Sequence, residues 1–424
     1  MKRFESGFMV IVAMACWGRV DVWAGPENVG SGTAHAAESN NGSASAAEDN
    51  LKPGPIDVND LKDPDLEPYA AHLRESGKPP IQYVVEKFKH HDVVIVGESH
   101  EIREVCEFYA DLMDPIYHQA GVRYFAMEVL KHKNTHLANQ LVTGETYDEE
   151  LVMNLFRDCV QPTWAFQEYM DILKAIWQVN RALPSGAEPF KVIGLDVDAD
   201  ISLYVRGQNP PELAANTEAL ENRDEFMADT LAREVIEKGG KALVQIGANH
   251  SFTHYRQPVI RDGQVVREWA RFGYILHESY GEKIFQVVLH MTQLNSAGTK
   301  SRQTLGGLLN KVFAHNENRA LGFDVYGSPF AHLRDRKSYY FAHQDTVVFS
   351  DMARGYVFLK PLRELHRMTW ANGFVSEDNF ERVMRFVTQR KFIKMGIKKG
   401  LIKEGQCDTP EGLDAYLKML IEHN

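Results

Sequence analysis

Val93-Val94-Ile95-Val96-Gly97-Glu98-Ser99-His100 is the stretch that decides how this chain folds. Four β-formers run unbroken into a glycine, and then into an acid and a histidine. The pattern returns three times. Val122-Arg123-Tyr124-Phe125-Ala126-Met127 stops at Glu128, Val192-Ile193-Gly194-Leu195 stops at Asp196, and Leu243-Val244-Gln245-Ile246 stops at Gly247-Ala248-Asn249-His250. Apolar runs of this length, separated by stretches of helical periodicity, read as strands buried in a largely parallel sheet. In such a sheet the crevice for a ligand lies beyond the carboxyl ends of the strands. Glu98, His100, Glu128, Asp196, Asn249 and His250 are therefore expected on one rim.

Outward from these strands, the intervening segments read as helices. One is predicted over 81–90, ahead of the first strand. Ser99 is the predicted N-cap of the next, in which Ile102, Val105, Cys106, Tyr109, Leu112 and Met113 recur at helical spacing and Pro115 closes the run. Further helices are predicted over 148–159 and 164–182, and a long one over 211–238 ends at Gly239-Gly240. Ile284-Phe285-Gln286-Val287-Val288-Leu289 is a fifth strand. This alternation places the chain in the α/β class, with a mostly parallel sheet flanked by helices. Beyond Ser296 come the strand-like pieces Val347-Val348-Phe349 and Tyr356-Val357-Phe358-Leu359, then helices over 379–424. Short linkers favour a mixed α/β and helical C-terminal extension that completes or caps the core.

The 424 residues divide into an export signal (1–24), a disordered spacer (25–64), an α/β core carrying the site (65–295) and the extension (296–424). Lys2 and Arg3 precede an apolar stretch over 8–16, and Val22-Trp23-Ala24 offers a small-residue cleavage site. Ala13-Met14-Ala15-Cys16 carries a second reading, a lipid anchor on Cys16. Either way the protein is expected outside the cytoplasm, in the periplasm or cell envelope. The spacer is rich in Ala, Ser, Asn, Gly and Glu and too poor in apolar residues to order itself. The apolar stretch is too short to span a bilayer, and no other segment reads as a membrane helix. Hydrophobic residues make up 44% of the chain, ample for a core, and a net charge of −11 argues against a nucleic-acid partner. The basic run over 391–403 reads as a solvated helix face. Cys106, Cys159 and Cys407, an odd number without close spacing, do not make a disulfide framework, and Cys106 reads as a small buried hydrophobe.

The rim residues carry the chemistry. Glu98 and His100, two apart at a strand end, project to the same side. A carboxylate and an imidazole so placed can act as orienting partner and general base on a water, or as two metal ligands, or simply cap a helix. Glu128 after an apolar strand needs a cationic partner, and Arg223 is the candidate. Asp196 is preferred over Asp198 because it comes first at its strand end. Asn249 is a candidate donor to a developing oxyanion, and His250 a second base or ligand. His254 shares a helical spacing with His250, but Tyr255-Arg256-Gln257-Pro258 reads as a loop; His132 and His136, flanked by Lys131 and Lys133, read as a solvated face. Met227 and Leu231 mark an inward helix face that Arg223 continues, which offers its planar fork to an anionic group. Asp224 lies roughly a hundred degrees around that helix and reaches the rim only if the helix tilts. Phosphate-binding loops, paired-glycine fingerprints, nucleophile elbows and His-Glu-x-x-His helices are absent, which favours activated water or ligand binding over a covalent acyl-enzyme.

Over 91–251 the chain resembles the superfamily that joins erythromycin esterases, ChaN-type haem-binding lipoproteins and Tiki-type proteases. The resemblance rests on Gly97-Glu98-Ser99-His100, then Glu128, Asp196, Arg223-Asp224-Glu225-Phe226-Met227-Ala228 and Gly247-Ala248-Asn249-His250-Ser251, in that order. It implies that Glu98 and His100 activate water or bind a ligand, and that Glu128, Arg223, Asp224 and His250 complete the site. The two-residue step from Glu98 to His100 matches the ChaN-like branch and departs from the three-residue step of the esterases.

Two functions are expected from this reading. The first is an exported hydrolase that activates water with His100 as base, Glu98 orienting it and Arg223 holding a small-molecule or peptide substrate. A zinc or similar ion on His100, His250 and Glu98 would assist it. The second is a ChaN-like haem- or iron-binding uptake protein without catalysis.

Overall fold

Side chains along a strand alternate between faces, so an unbroken apolar run buries both. In strand β1 (Val93–Glu98), Val94 and Val96 pack into one core, and Val93 and Ile95 into another across the sheet. The structure is a computed structural model that describes residues 54–205, 208–261 and 264–422. The expected export signal, Cys16 and most of the spacer lie outside the described residues.

Six further strands join β1: β2 (Tyr124–Lys131), β3 (Lys191–Asp196), β4 (Ala242–Gly247), β5 (Ile284–Leu289), β6 (Leu321–Asp324) and β7 (Gly355–Phe358). The order across the sheet is β6-β7-β5-β1-β4-β2-β3, and every neighbouring pair is parallel except β6–β7. The protein is thus an α/β fold with a mostly parallel sheet, and the C-terminal extension completes the sheet through β6 and β7. One face is covered by α1 (Pro80–Lys87), α2 (Arg103–Ala120), α3 (Glu149–Arg157) and α4 (Gln167–Ala182). Following α5 (Leu213–Glu221), the helices α6 (Arg223–Glu234) and α7 (Phe272–Tyr280) pack Met227, Leu231, Phe272 and Leu276 on the other face. No helix among the described residues is long and apolar enough to cross a membrane. Cys106, Cys159 and Cys407 are free and buried.

Several local expectations are corrected. Ser99 does not cap α2, because 99–102 turns first: Glu101 takes a left-handed backbone (φ 67°) and Ile102 bridges Arg367 of the extension. Pro115 sits inside α2, which continues to Ala120 and ends at left-handed Gly121. Proline removes one backbone donor there, while buried Leu112, Met113, Ile116 and Tyr117 hold the helix on both sides. The long helix over 211–238 is broken at Asn222, so that Arg223 begins α6. Val347-Val348-Phe349 is not a strand; Phe349 and Met352 pack into the core from a helical turn. Within the stretch read as spacer, Ile56–Asp57 pairs in parallel with Leu333–Arg334, and Asp63–Leu66 forms a turn of helix.

One irregularity positions the site. β2 does not stop at Glu128 but runs on to Lys131, and its register against β3 shifts between Met127 and Lys131. Gly194 of β3 makes this possible: a Cβ there would lie 2.5 Å from the Lys131 carbonyl oxygen and 2.7 Å from that of Leu130. Backbone cannot step aside as a flexible side chain can. Gly194→Ala is therefore expected to lower stability by about 1–3 kcal/mol. Urea unfolding should show a lower midpoint with an unchanged slope; an unchanged midpoint would mean that β2 and β3 tolerate the extra atom.

Candidate active site

Parallel register brings the carboxyl ends of β1, β4, β2 and β3 together, with Glu98 opposite Gly247 and Met127 opposite Gln245. At the centre of that rim stands Arg223, the first residue of α6. Its Nε and Nη2 donate to the two oxygens of Asp196 at 2.6 and 3.0 Å, a bidentate pair. Its Nη1 donates to Glu128 Oε1 at 3.0 Å and lies 3.3 Å from His250 Nε2. The neighbours' charges keep this guanidinium firmly cationic despite its burial. The fork expected to meet an anionic substrate group is thus taken by Asp196. Arg223 organises the cluster.

Glu128 is fully buried. Its Oε2 accepts the Gly247 amide at 2.5 Å. Burial alone would raise its pKa; the charges of Arg223, His250 and His100, with the Gly247 amide, bring it down to about 2. An imidazole stands on each side of this carboxylate, with His100 Nε2 3.6 Å from Oε2 and His250 Nε2 3.8 Å from Oε1. Each imidazole rests its other nitrogen on a carboxylate: His100 Nδ1 is 2.9 Å from Glu98 Oε1, and His250 Nδ1 is 2.5 Å from Asp224 Oδ1. Each Nδ1 carries the proton that its carboxylate accepts.

The two dyads differ in their surroundings. Glu98 Oε1 also accepts from the Tyr169 hydroxyl at 2.5 Å and the Gln245 amide at 2.6 Å, while its buried Oε2 has no partner from the chain. His100 packs edge-on against Trp164 and keeps 14% of its side chain exposed, more than any other member of the cluster. Burial would lower its pKa, but the hydrogen bond to Glu98 and the charges of Glu128, Glu98 and Glu101 outweigh it and hold the imidazole above its ordinary value. Asp224 takes Arg271 Nη1 at 3.1 Å and the Phe272 amide at 2.9 Å besides His250. His250 and Arg271 charges with the Phe272 amide overcome its desolvation and keep it well below the usual carboxylate range. Gly247 keeps the space beside both imidazoles free of a side chain: a Cβ would fall 2.7 Å from His100 Nε2 and 3.3 Å from Glu128 Oε2.

The structure therefore brings together Glu98, His100, Glu128, Asp196, Arg223, Asp224 and His250. Asn249, in the single turn Ala248–Ser251, instead accepts from the Tyr340 hydroxyl. His254 is exposed and stacks near His277, and Asp198 pairs with Lys131 and Lys133 at the surface. Four contributors were not foreseen. Gln245 carried a signal, an amide in the middle of an apolar strand. Tyr169, Trp164 and Arg271 carried none, since only folding brings them to the rim.

A zinc site on His100, His250 and Glu98 does not fit. The described residues hold no group of three His, Cys, Asp or Glu side chains arranged for a metal ion. The cation between Asp196, Glu128 and His250 is a guanidinium.

No family model and no curated protein matches the chain. Its fold is similar to that of a succinoglycan biosynthesis protein (13% identity, 71% of this chain and 98% of that one, TM-score 0.47). It is also similar to an erythromycin esterase mutant in its open conformation (11%, 69% and 95%, TM-score 0.45). A third similar structure is ChaN of Campylobacter jejuni with cofacial haem (16%, 51% and 88%, TM-score 0.32). At these identities and TM-scores the similarity carries no argument about activity.

Because the Glu128 carboxyl falls from 4.5 to about 2 on folding, the unfolded chain binds more protons between those values. Stability from this group is complete above 4.5 and is lost as pH falls toward 2. Chemical denaturation across this window should show a steeper acid loss in wild type than in Glu128→Gln, although the variant is less stable at neutral pH. Parallel curves would remove Glu128 as a source of acid sensitivity. Arg223→Lys keeps the charge but cannot reproduce the bidentate pair together with the contact to Glu128, and leaving buried carboxylate oxygens without donors is expected to cost about 1–3 kcal/mol. A thermal melt matching wild type would contradict the central place given to Arg223.

Proposed function

We propose that the protein is a hydrolase that activates water with His100, and that its substrate is a small-molecule or peptide ester or amide. One observation carries the reading: His100 Nε2 faces a buried carboxylate at 3.6 Å while Nδ1 is held by Glu98 at 2.9 Å, in the most solvent-accessible member of the cluster. A water at Nε2 would give its proton to His100 as it attacks the substrate carbonyl. Glu98 would stabilise the resulting imidazolium through Nδ1–H, with Tyr169 and Gln245 fixing the carboxylate. The imidazolium would then return the proton to the leaving group. His250, behind Arg223, acts in this scheme as a positioning residue that keeps Glu128 and Arg223 in place. Export, with or without an anchor at Cys16, belongs to the same proposal.

The test is turnover of a panel of ester and amide substrates by wild type, His100→Ala and Glu98→Gln. Loss of the base should reduce the rate on the order of a hundredfold or more. Only the neutral imidazole accepts a proton, so the rate should rise with pH through a His100 pKa lying above the ordinary 6.5. Glu98→Gln removes the acceptor that raises it, and should move that limb to lower pH. Equal turnover by wild type and His100→Ala, or none by wild type across the panel, would end this reading. In a parallel haem titration, a Soret shift lost in His100→Ala would replace it with haem binding.

A further inference from the structure

The chain as a whole is acidic, with a net charge of −11, yet 390–403 contains six lysines and arginines and no acid. This stretch lies far along the chain from the rim residues. It begins at Arg390, just past the end of helix α8 (Phe380–Gln389), and takes in helix α9 (Phe392–Lys398) and the loop that follows. Lys391, Lys394, Lys398, Lys399 and Lys403 are exposed. Between them stand Ile397 at 40% and Leu401 at 42% exposure, two of the six large hydrophobic side chains exposed among the described residues. Isolated exposed aliphatics need no explanation, but two spaced four apart and ringed by lysines form a mixed apolar and basic face.

That face cannot turn inward. Phe392 and Gly396, four apart on the opposite side of α9, are buried. A Cβ at Gly396 would collide with the hydroxyl of Tyr416 in α10 (Pro410–Glu422), and that hydroxyl donates to the Phe392 carbonyl at 2.7 Å. Buried Ile402 holds the loop down in the same way. No ion pair within 4.0 Å joins Lys391, Lys394, Lys398 or Lys403 to an acid among the described residues.

We infer that this lysine-rich face with Ile397 and Leu401 at its centre docks the protein on an anionic lipid surface. Charge complementarity selects the partner, and the aliphatic pair selects its kind. Lysines gain from the negative potential of such a membrane, and aliphatic side chains gain from entering its headgroup region. A single-stranded nucleic acid would call for aromatic platforms, and Phe392, the one aromatic residue in the stretch, is buried. The protein's excess acid does not forbid the contact, because at physiological salt charges more than about 8 Å away are largely screened.

Co-sedimentation of the purified full-length chain with vesicles tests the inference. Binding is expected to phosphatidylcholine vesicles containing phosphatidylglycerol, little to phosphatidylcholine alone, and release at high salt. Each lysine near the surface contributes about fivefold in partitioning. Lys394→Glu with Lys398→Glu should therefore lower binding by more than about tenfold. Ile397→Ser with Leu401→Ser should weaken binding without changing its salt dependence. All four side chains are exposed, so circular dichroism should stay unchanged. Several results would overturn the inference: no binding, equal binding to neutral vesicles (the behaviour of an acyl anchor), charge-reversed protein that binds as wild type does, or release by polyglutamate or duplex DNA at concentrations where vesicles fail to compete.

Discussion

One guanidinium holds the rim of this protein together. Arg223 touches Asp196 at the end of β3, Glu128 in the irregular part of β2 and His250 in the turn after β4. Two ionised carboxylates in an interior without water are strongly unfavourable unless a cation satisfies them with good geometry. Arg223 supplies that cation with three nitrogens in a rigid plane, so its contacts also set the spacing of three neighbouring strand ends. Asp224, the next residue, reaches from the same helix start to His250, Arg271 and the Phe272 amide. A break at Asn222 places both at the first turn of α6, where they meet the rim.

Outside this rigid centre lies the more accessible dyad of Glu98 and His100, and it depends on parts of the chain that are distant in sequence. Tyr169 from α4 and Gln245 from β4 fix the Glu98 carboxylate. The C-terminal extension then straps the neighbouring helix starts. Arg103 donates its amide to the His366 carbonyl, Gln167 donates to that of Thr369, and Ala371 donates to that of Ala165. Glu104 and Glu168 reinforce the strap by accepting the backbone amides of His366 and Thr369. The extension is therefore part of the architecture around His100 as well as the source of β6 and β7.

Much of this was legible before folding was considered. The apolar runs at β1, β3, β4 and β5 are β-branched and short, which local sterics and burial on two faces explain without knowledge of neighbours. Polar residues where those runs end mark the rim, and Arg223 beside Met227 and Leu231 follows from helical periodicity. Element ends were less legible. Pro115 and Ser99 carry strong local preferences, and tertiary packing overrode both, by burying α2 on each side of the proline and by bridging Ile102 to Arg367. Glu128 looked like a strand end because it is charged; its neutralisation by Arg223 lets β2 continue past it.

The sequence by itself determined the α/β class, the strands that build the centre of the sheet and the residue types at their carboxyl ends. Those are consequences of hydrophobic period and side-chain chemistry, which are local. Only the tertiary structure decided further pairings: that Asp196 takes the fork of Arg223, that Asp224 holds His250 Nδ1, and that Asn249 turns to Tyr340. Those pairings depend on the order β5-β1-β4-β2-β3 and on the irregularity opposite Gly194. Strand order is a non-local choice, made by the packing of helices on both faces, and no run of residues states it alone.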